Sequence, residues 1–114
     1  MAVVLWGPGR LWSHEAVETT RAALLLTDVV DSTQLVRTLG DQRAAQLWAR
    51  HDSLARELLA PHGGREIDKT DGFLMLFFDA DQAVAYAEAY HRALETVGEE
   101  LGVPLTARVG LHVG

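Results

Sequence analysis

The stretch that most constrains this chain runs from Ala22 to Thr33, AALLLTDVVDST. Five apolar residues lead straight into Thr27 and Asp28, and the polar cluster Asp31-Ser32-Thr33 then opens a helix. A short apolar run bounded by such signals predicts a buried strand. A buried strand that ends on a carboxylate holds a negative charge rigidly at the rim of a sheet, beside the free N–H groups of the next helix. The rest of the chain is expected to bring a second carboxylate, Asp71, to the same rim, where the pair can hold a divalent metal.

The remaining elements follow from periodicity. A first strand over about Ala22–Val29 precedes a short helix capped by Asp31, with Gln34 at capping-box spacing, that ends at Gly40. Asp41 is expected to cap a longer helix to about Ala60, its face drawn by Ala44, Leu47, Trp48, His51, Leu54, Ala55 and Leu58. Pro61 and Gly63-Gly64 close it. Arg65–Lys69 reads as a polar strand near an edge, Thr70-Asp71-Gly72 as a turn and Phe73–Phe78 as an apolar central strand. Asp79 then caps a helix striped by Ala83, Val84, Ala87, Tyr90, Leu94 and Leu101. In a last strand from Leu105 to Val113, alternate residues from Leu105 face one way, and Thr106, Arg108, Gly110 and His112 face the other.

This order predicts an α+β chain with the split βαβ, or ferredoxin-like, pattern: an antiparallel sheet with its helices on one face. In that topology the first strand lies between the third and fourth, so its end meets the turn joining the second and third. Asp28 and Asp71, remote in sequence, become neighbours. Length fits this plan, since 114 residues suit one domain with one core. Residues 1–20 break the pattern with an apolar start, Gly7-Pro8-Gly9 and two tryptophans. They are expected to form a poorly ordered extension, with the domain proper spanning 21–114.

Composition narrows the function classes. A net charge of −6 without a basic stripe argues against a nucleic-acid partner. The absence of cysteine excludes disulfides and thiolate metal sites, and fits the cytoplasm best. No apolar run approaches the roughly 20 residues of a membrane span. The five histidines show no ligand pairing and read as structural.

Two aspartates beside a helix start are what a metal–triphosphate needs. Carboxylates take the cations, and N–H groups around Ser32-Thr33 take the phosphates. Two metals roughly 3.5–4 Å apart can activate an attacking oxygen and stabilise departing pyrophosphate. The plainer alternative is that Asp28 merely ends a strand and Asp71 merely sits in a turn.

Six stretches in order resemble the class III nucleotidyl cyclase family, the adenylate/guanylate cyclases. They are Leu26-Thr27-Asp28-Val29-Val30-Asp31-Ser32-Thr33, Leu39-Gly40-Asp41, Arg50-His51-Asp52, His62-Gly63-Gly64-Arg65, Asp71-Gly72-Phe73 and Arg108 to Gly114. The resemblance covers about Ala22–Gly114 and makes this the N-terminal part of such a domain. It implies Asp28 and Asp71 as metal ligands with the Val29 carbonyl, two Mg2+ or Mn2+ ions per site, and a phosphate cradle over Val30, Asp31, Ser32 and Thr33. It implies that Arg108 reaches the leaving phosphates; the alternative is an exposed strand residue in an ion pair. The implied reaction is attack of the ribose 3′-hydroxyl on the α-phosphate of ATP, in preference to GTP, giving a cyclic nucleotide for signal transduction and pyrophosphate. Family members work as head-to-tail dimers, so the implied partner is a second copy or another cyclase half.

Three departures stand against this. Asp31 occupies a position where the family often has glycine. Lys69 lies only two residues before Asp71, a shift of about 6.6 Å along a strand from the family's base-reading lysine; charge-pairing with Glu66 or Asp68 is its other reading. The family's base-selecting and transition-state residues fall beyond Gly114, so no catalytic residue is assigned and this chain alone is expected to be inactive. The alternative function is a silent cyclase-homology module that dimerises or binds nucleotide to regulate attached domains.

Overall fold

The computed structural model describes residues 2–7, 10–11 and 22–113. In chain order the elements are β1 (Ala2–Gly7), β2 (Arg10–Leu11), β3 (Ala23–Val29), α1 (Ser32–Leu39), α2 (Asp41–Glu57), a 3-10 turn (Ala60–His62), β4 (Gly64–Lys69), β5 (Phe73–Phe77), α3 (Ala80–Leu101) and β6 (Ala107–Val113). The last four strands named from β3 onward form the expected α+β, ferredoxin-like antiparallel sheet in the order β6-β3-β5-β4. β3 sits between β5 and β6, antiparallel to both, as the topology required. Leu26 lies opposite Leu74 on one side and Gly110 on the other, which fixes the register at the end of β3.

On the β6 edge, β1 continues the sheet from Ala2 opposite Val113 to Trp6 opposite Val109, and β2 follows it. The rest of the stretch expected to form an extension, Trp12 included, lies outside the described residues, as does Gly114.

Alternation decides which sheet face is buried. Ala23, Leu25, Thr27 and Val29 are buried, while Leu24 and Leu26 on the opposite face are 39% and 53% exposed. Phe73, Met75 and Phe77 on β5, and Ala107, Val109, Leu111 and Val113 on β6, complete the buried face. α2 covers it with Ala44, Leu47, His51 and Ala55, and α3 with Ala83, Tyr86, Ala87, Tyr90 and Leu94. Each large apolar side chain removed from water this way contributes about 1.5–3 kcal/mol.

The helix boundaries differ from expectation in instructive ways. Asp31 precedes α1, but its side chain makes no capping bond, and Gln34 reaches Thr38 Oγ1 instead. Asp41 is the first residue of α2 rather than its cap, and places its carboxylate in the first turn, where the helix dipole favours it. α2 ends at Glu57, three residues early, because Pro61 tightens the chain into the 3-10 turn. Asp79 does cap α3, accepting from the Asp81 N–H at 2.8 Å. β5 stops at Phe77, and Phe78 is left 66% exposed.

Candidate functional site

The rim is built where β3 runs out. Thr27 points into the core and is 5% exposed, so its neighbour Asp28 emerges on the opposite face and meets solvent. Across β6, Asp28 pairs in register with Arg108, itself exposed. On the other flank, the Phe73 N–H donates to Thr27 Oγ1 at 3.0 Å. That bond ties the start of β5 to the end of β3, so the Thr70-Asp71-Gly72 turn folds directly over Thr27. The approach is close enough that a Cβ on Gly72 would fall 1.8 Å from the Thr27 carbonyl oxygen. Only glycine lets the turn carrying Asp71 come this near to the strand carrying Asp28.

Asp28 and Asp71 both line one cleft of about 450 Å³, together with Thr70, Ser32, Thr33 and Trp48. A second hollow of about 390 Å³ shares Asp28, Val29, Ser32 and Thr33 and is bounded by Asp31, Arg37 and Arg108. The structure thus brings together Asp28, Val29, Asp71, Asp31, Ser32, Thr33 and Arg108 around adjoining hollows. Val30 belongs to the same turn, its N–H donating to the Thr106 carbonyl at 2.9 Å.

Between strand and helix, Asp31 adopts φ 54° and ψ 41°, the only non-glycine residue with positive φ among those described. This left-handed step suits glycine, and aspartate is one of the few other residues that tolerates it. With no capping bond from Asp31, the first N–H groups of α1 receive nothing from its side chain. Two carboxylates and a strand-end carbonyl suit a hard cation that keeps water and phosphate oxygens as its other ligands. Among the described residues no group of three or more His, Asp or Glu forms an all-protein cage.

Lys69 is not aimed at these hollows. Its ammonium donates to the Thr70 carbonyl at 2.8 Å and lies 5.4 Å from the centre of the Phe73 ring. Glu66, one expected partner, is gripped instead by Arg56 at 2.7 and 3.3 Å. That grip holds the Glu66 carboxyl below its ordinary range, with Lys69 adding a weaker pull.

Two residues that line these hollows, Arg37 and Trp48, fall in none of the six stretches, while a third buried residue nearby, His51, belongs to one of them. Arg37 follows Thr33 by four positions, the spacing that stacks two side chains on one helical face. Trp48 belongs to the apolar stripe of α2, yet it is only half-buried and lines the cleft. His51 is 4% exposed, and burial pushes its pKa down while the neighbouring Asp52 opposes this.

No family model and no curated protein sequence matches the chain. Among solved structures, it is similar to the crystal structure of the adenylyl cyclase CyaB from P. aeruginosa, with a TM-score of 0.74 at 17% sequence identity. The match covers 86% of this chain and 58% of that one. At this identity the likeness is one of fold: the chain is built like a cyclase and spans little more than half the matched chain's length. No helix among the described residues is long and apolar enough to cross a membrane.

Proposed function

We propose that this chain supplies the metal and triphosphate half of a nucleotidyl cyclase site. The observation that carries the reading is the shared cleft of Asp28 and Asp71, two carboxylates remote in sequence, with Ser32 and Thr33 at a helix start beside them. In this reading Asp28, Asp71 and the Val29 carbonyl hold Mg2+ or Mn2+, two ions to a site. Bound there, the cations would supply charge neutralisation and activation of an attacking oxygen. The turn from Val30 to Thr33 receives the triphosphate through backbone N–H groups, and Arg108 offsets its charge from β6.

The reaction proposed is conversion of ATP, in preference to GTP, into a 3′,5′-cyclic nucleotide and pyrophosphate. A second copy, arranged head-to-tail, or another cyclase half completes the site. One observation favours a second reading, a cyclase-homology module that binds nucleotide without turnover. Lys69, the residue that would read the base, is held against Phe73 and the Thr70 carbonyl.

Calorimetry of ATP and GTP binding with Mn2+ tests the proposal. Asp28→Ala and Asp71→Ala should each abolish Mn2+-dependent binding; unchanged binding in both variants overturns the metal assignment. Turnover assays with both nucleotides on the full gene product separate the two readings: cyclic product supports the enzyme, and binding without product supports the silent module.

A further inference from the structure

Behind the carboxylate rim, a set of buried and half-buried polar groups joins α2 to α3 and packs against the start of β5. His51 Nδ1 lies 2.9 Å from Asp52 Oδ1, and His51 Nε2 lies 2.6 Å from the Tyr90 hydroxyl. The His51 ring also packs against the Phe73 ring at the start of β5, and the Thr27 side chain is a near neighbour of the same phenol. Thr27 in turn accepts the Phe73 N–H at 3.0 Å. Tyr90 is wholly buried, and Thr27 and His51 nearly so. Trp48, Phe73 and Tyr90 surround the imidazole, with ring centroids 5.7 to 6.0 Å away.

The protons can be assigned without conflict. Burial disfavours the charged imidazole, so one ring nitrogen donates and the other accepts. The Asp52 carboxylate only accepts, so His51 Nδ1 carries the proton and Nε2 accepts from the Tyr90 O–H. The Thr27 hydroxyl oxygen separately accepts from the Phe73 N–H. Each of these donors has one acceptor, and the packing of the His51 ring on Phe73 joins the two sets.

Its position gives this set a consequence. It includes the residue before Asp28 and the N–H two residues after Asp71, and those are the two segments the rim must hold in register. We infer that Asp52, His51, Tyr90 and Thr27 form a positioning relay that fixes the end of β3 against the Asp71 turn and so sets the rim's affinity for a metal–nucleotide. The second half of that statement rests on the function proposed above; the first half does not. None of the four is a catalytic residue, because each acts through the backbone segments it braces. A buried network of this kind rigidifies what it joins.

Tyr86 provides a matched control. It lies one helical turn before Tyr90 on α3, is equally buried, and donates its hydroxyl to the Ala55 carbonyl at 2.8 Å. Tyr90→Phe and Tyr86→Phe remove the same atom from the same helix face, but only the first breaks the relay. Two measurements on the chain and both variants decide the matter: Mn2+-dependent ATP affinity by calorimetry, and exchange of the Phe73 amide hydrogen by NMR. Expected is about a tenfold loss of affinity in Tyr90→Phe, the scale seen when outer-shell partners of metal ligands are removed. Tyr86→Phe should stay within about twofold of the parent, since outer-shell effects do not reach it. Phe73 exchange should accelerate in Tyr90→Phe more than in Tyr86→Phe. Equal affinity losses in the two variants, or Phe73 exchange that responds to both alike, overturn the relay. If the parent chain binds no Mn2+–ATP, the metal reading fails, and the Phe73 exchange comparison still decides whether the relay exists.

Discussion

Replacing Gly72 with alanine strikes the contact on which the rim geometry depends. The new Cβ would sit 1.8 Å from the Thr27 carbonyl oxygen and 3.0 Å from its carbonyl carbon. Carbon and oxygen that are not bonded rest at about 3.3 Å or more, so the turn must retreat by about 1.5 Å. Both sides of the clash are backbone, and β3 is clamped between β5 and β6, so no flexible side chain can absorb it. The 3.0 Å bond from the Phe73 N–H to Thr27 cannot survive such a retreat. Overpacking a close contact costs about 1–3 kcal/mol, and losing a buried hydrogen bond adds about 1 kcal/mol. A loss of about 2–4 kcal/mol lowers the melting temperature of a domain this size by about 10 °C or more. A thermal melt followed by circular dichroism measures it directly. In parallel, displacing Asp71 from Asp28 should weaken Mn2+-dependent nucleotide binding at a temperature where the variant is still folded. A variant that melts within about 2 °C of the parent would refute the close approach and the rim built on it.

Two further outcomes follow from particular residues. Gly102→Ala should cost only about 1 kcal/mol, because its φ of 71° disfavours a side chain while no atom lies within 4 Å of the new Cβ; a loss as large as that of Gly72→Ala in the same melt would contradict this. Burial lowers the pKa of both His51 and His91, so the folded chain binds fewer protons than the unfolded one just below the ordinary value of 6.5. Their contribution to stability is therefore complete above about pH 6.5 and is lost as the pH falls towards their folded values. NMR titration should place both imidazole midpoints below 6.5, and a midpoint at or above that value for His51 would break the proton assignment of the relay.

Much of this molecule could be read from its residues in a line. Apolar alternation in Leu105–Val113 foretold which side chains of the last strand are buried, because a strand has only two faces and one must meet the helices. The stripes of α2 and α3 were legible for the same reason. Local chemistry was less reliable: Asp31 and Asp41 have cap-forming side chains, yet neither caps, since the left-handed step at Asp31 and the helix start at Gly40 are set by how the chain must turn. Lys69 could not be placed from spacing either, because Arg56, on a different element, claims Glu66.

The sequence by itself determined that a buried strand would end on Asp28, that a turn would carry Asp71, and that both would lie at one end of a small antiparallel sheet. Hydrophobic period and turn chemistry are local properties, so they survive without knowledge of the fold. Only the tertiary structure decided how near Asp28 and Asp71 lie, since that depends on Gly72 passing against the Thr27 carbonyl. It alone made His51, Tyr90 and Thr27 neighbours, drawing one residue from each of two helices and a strand. Such contacts are set by packing between elements, and nothing in the period of any single element records them.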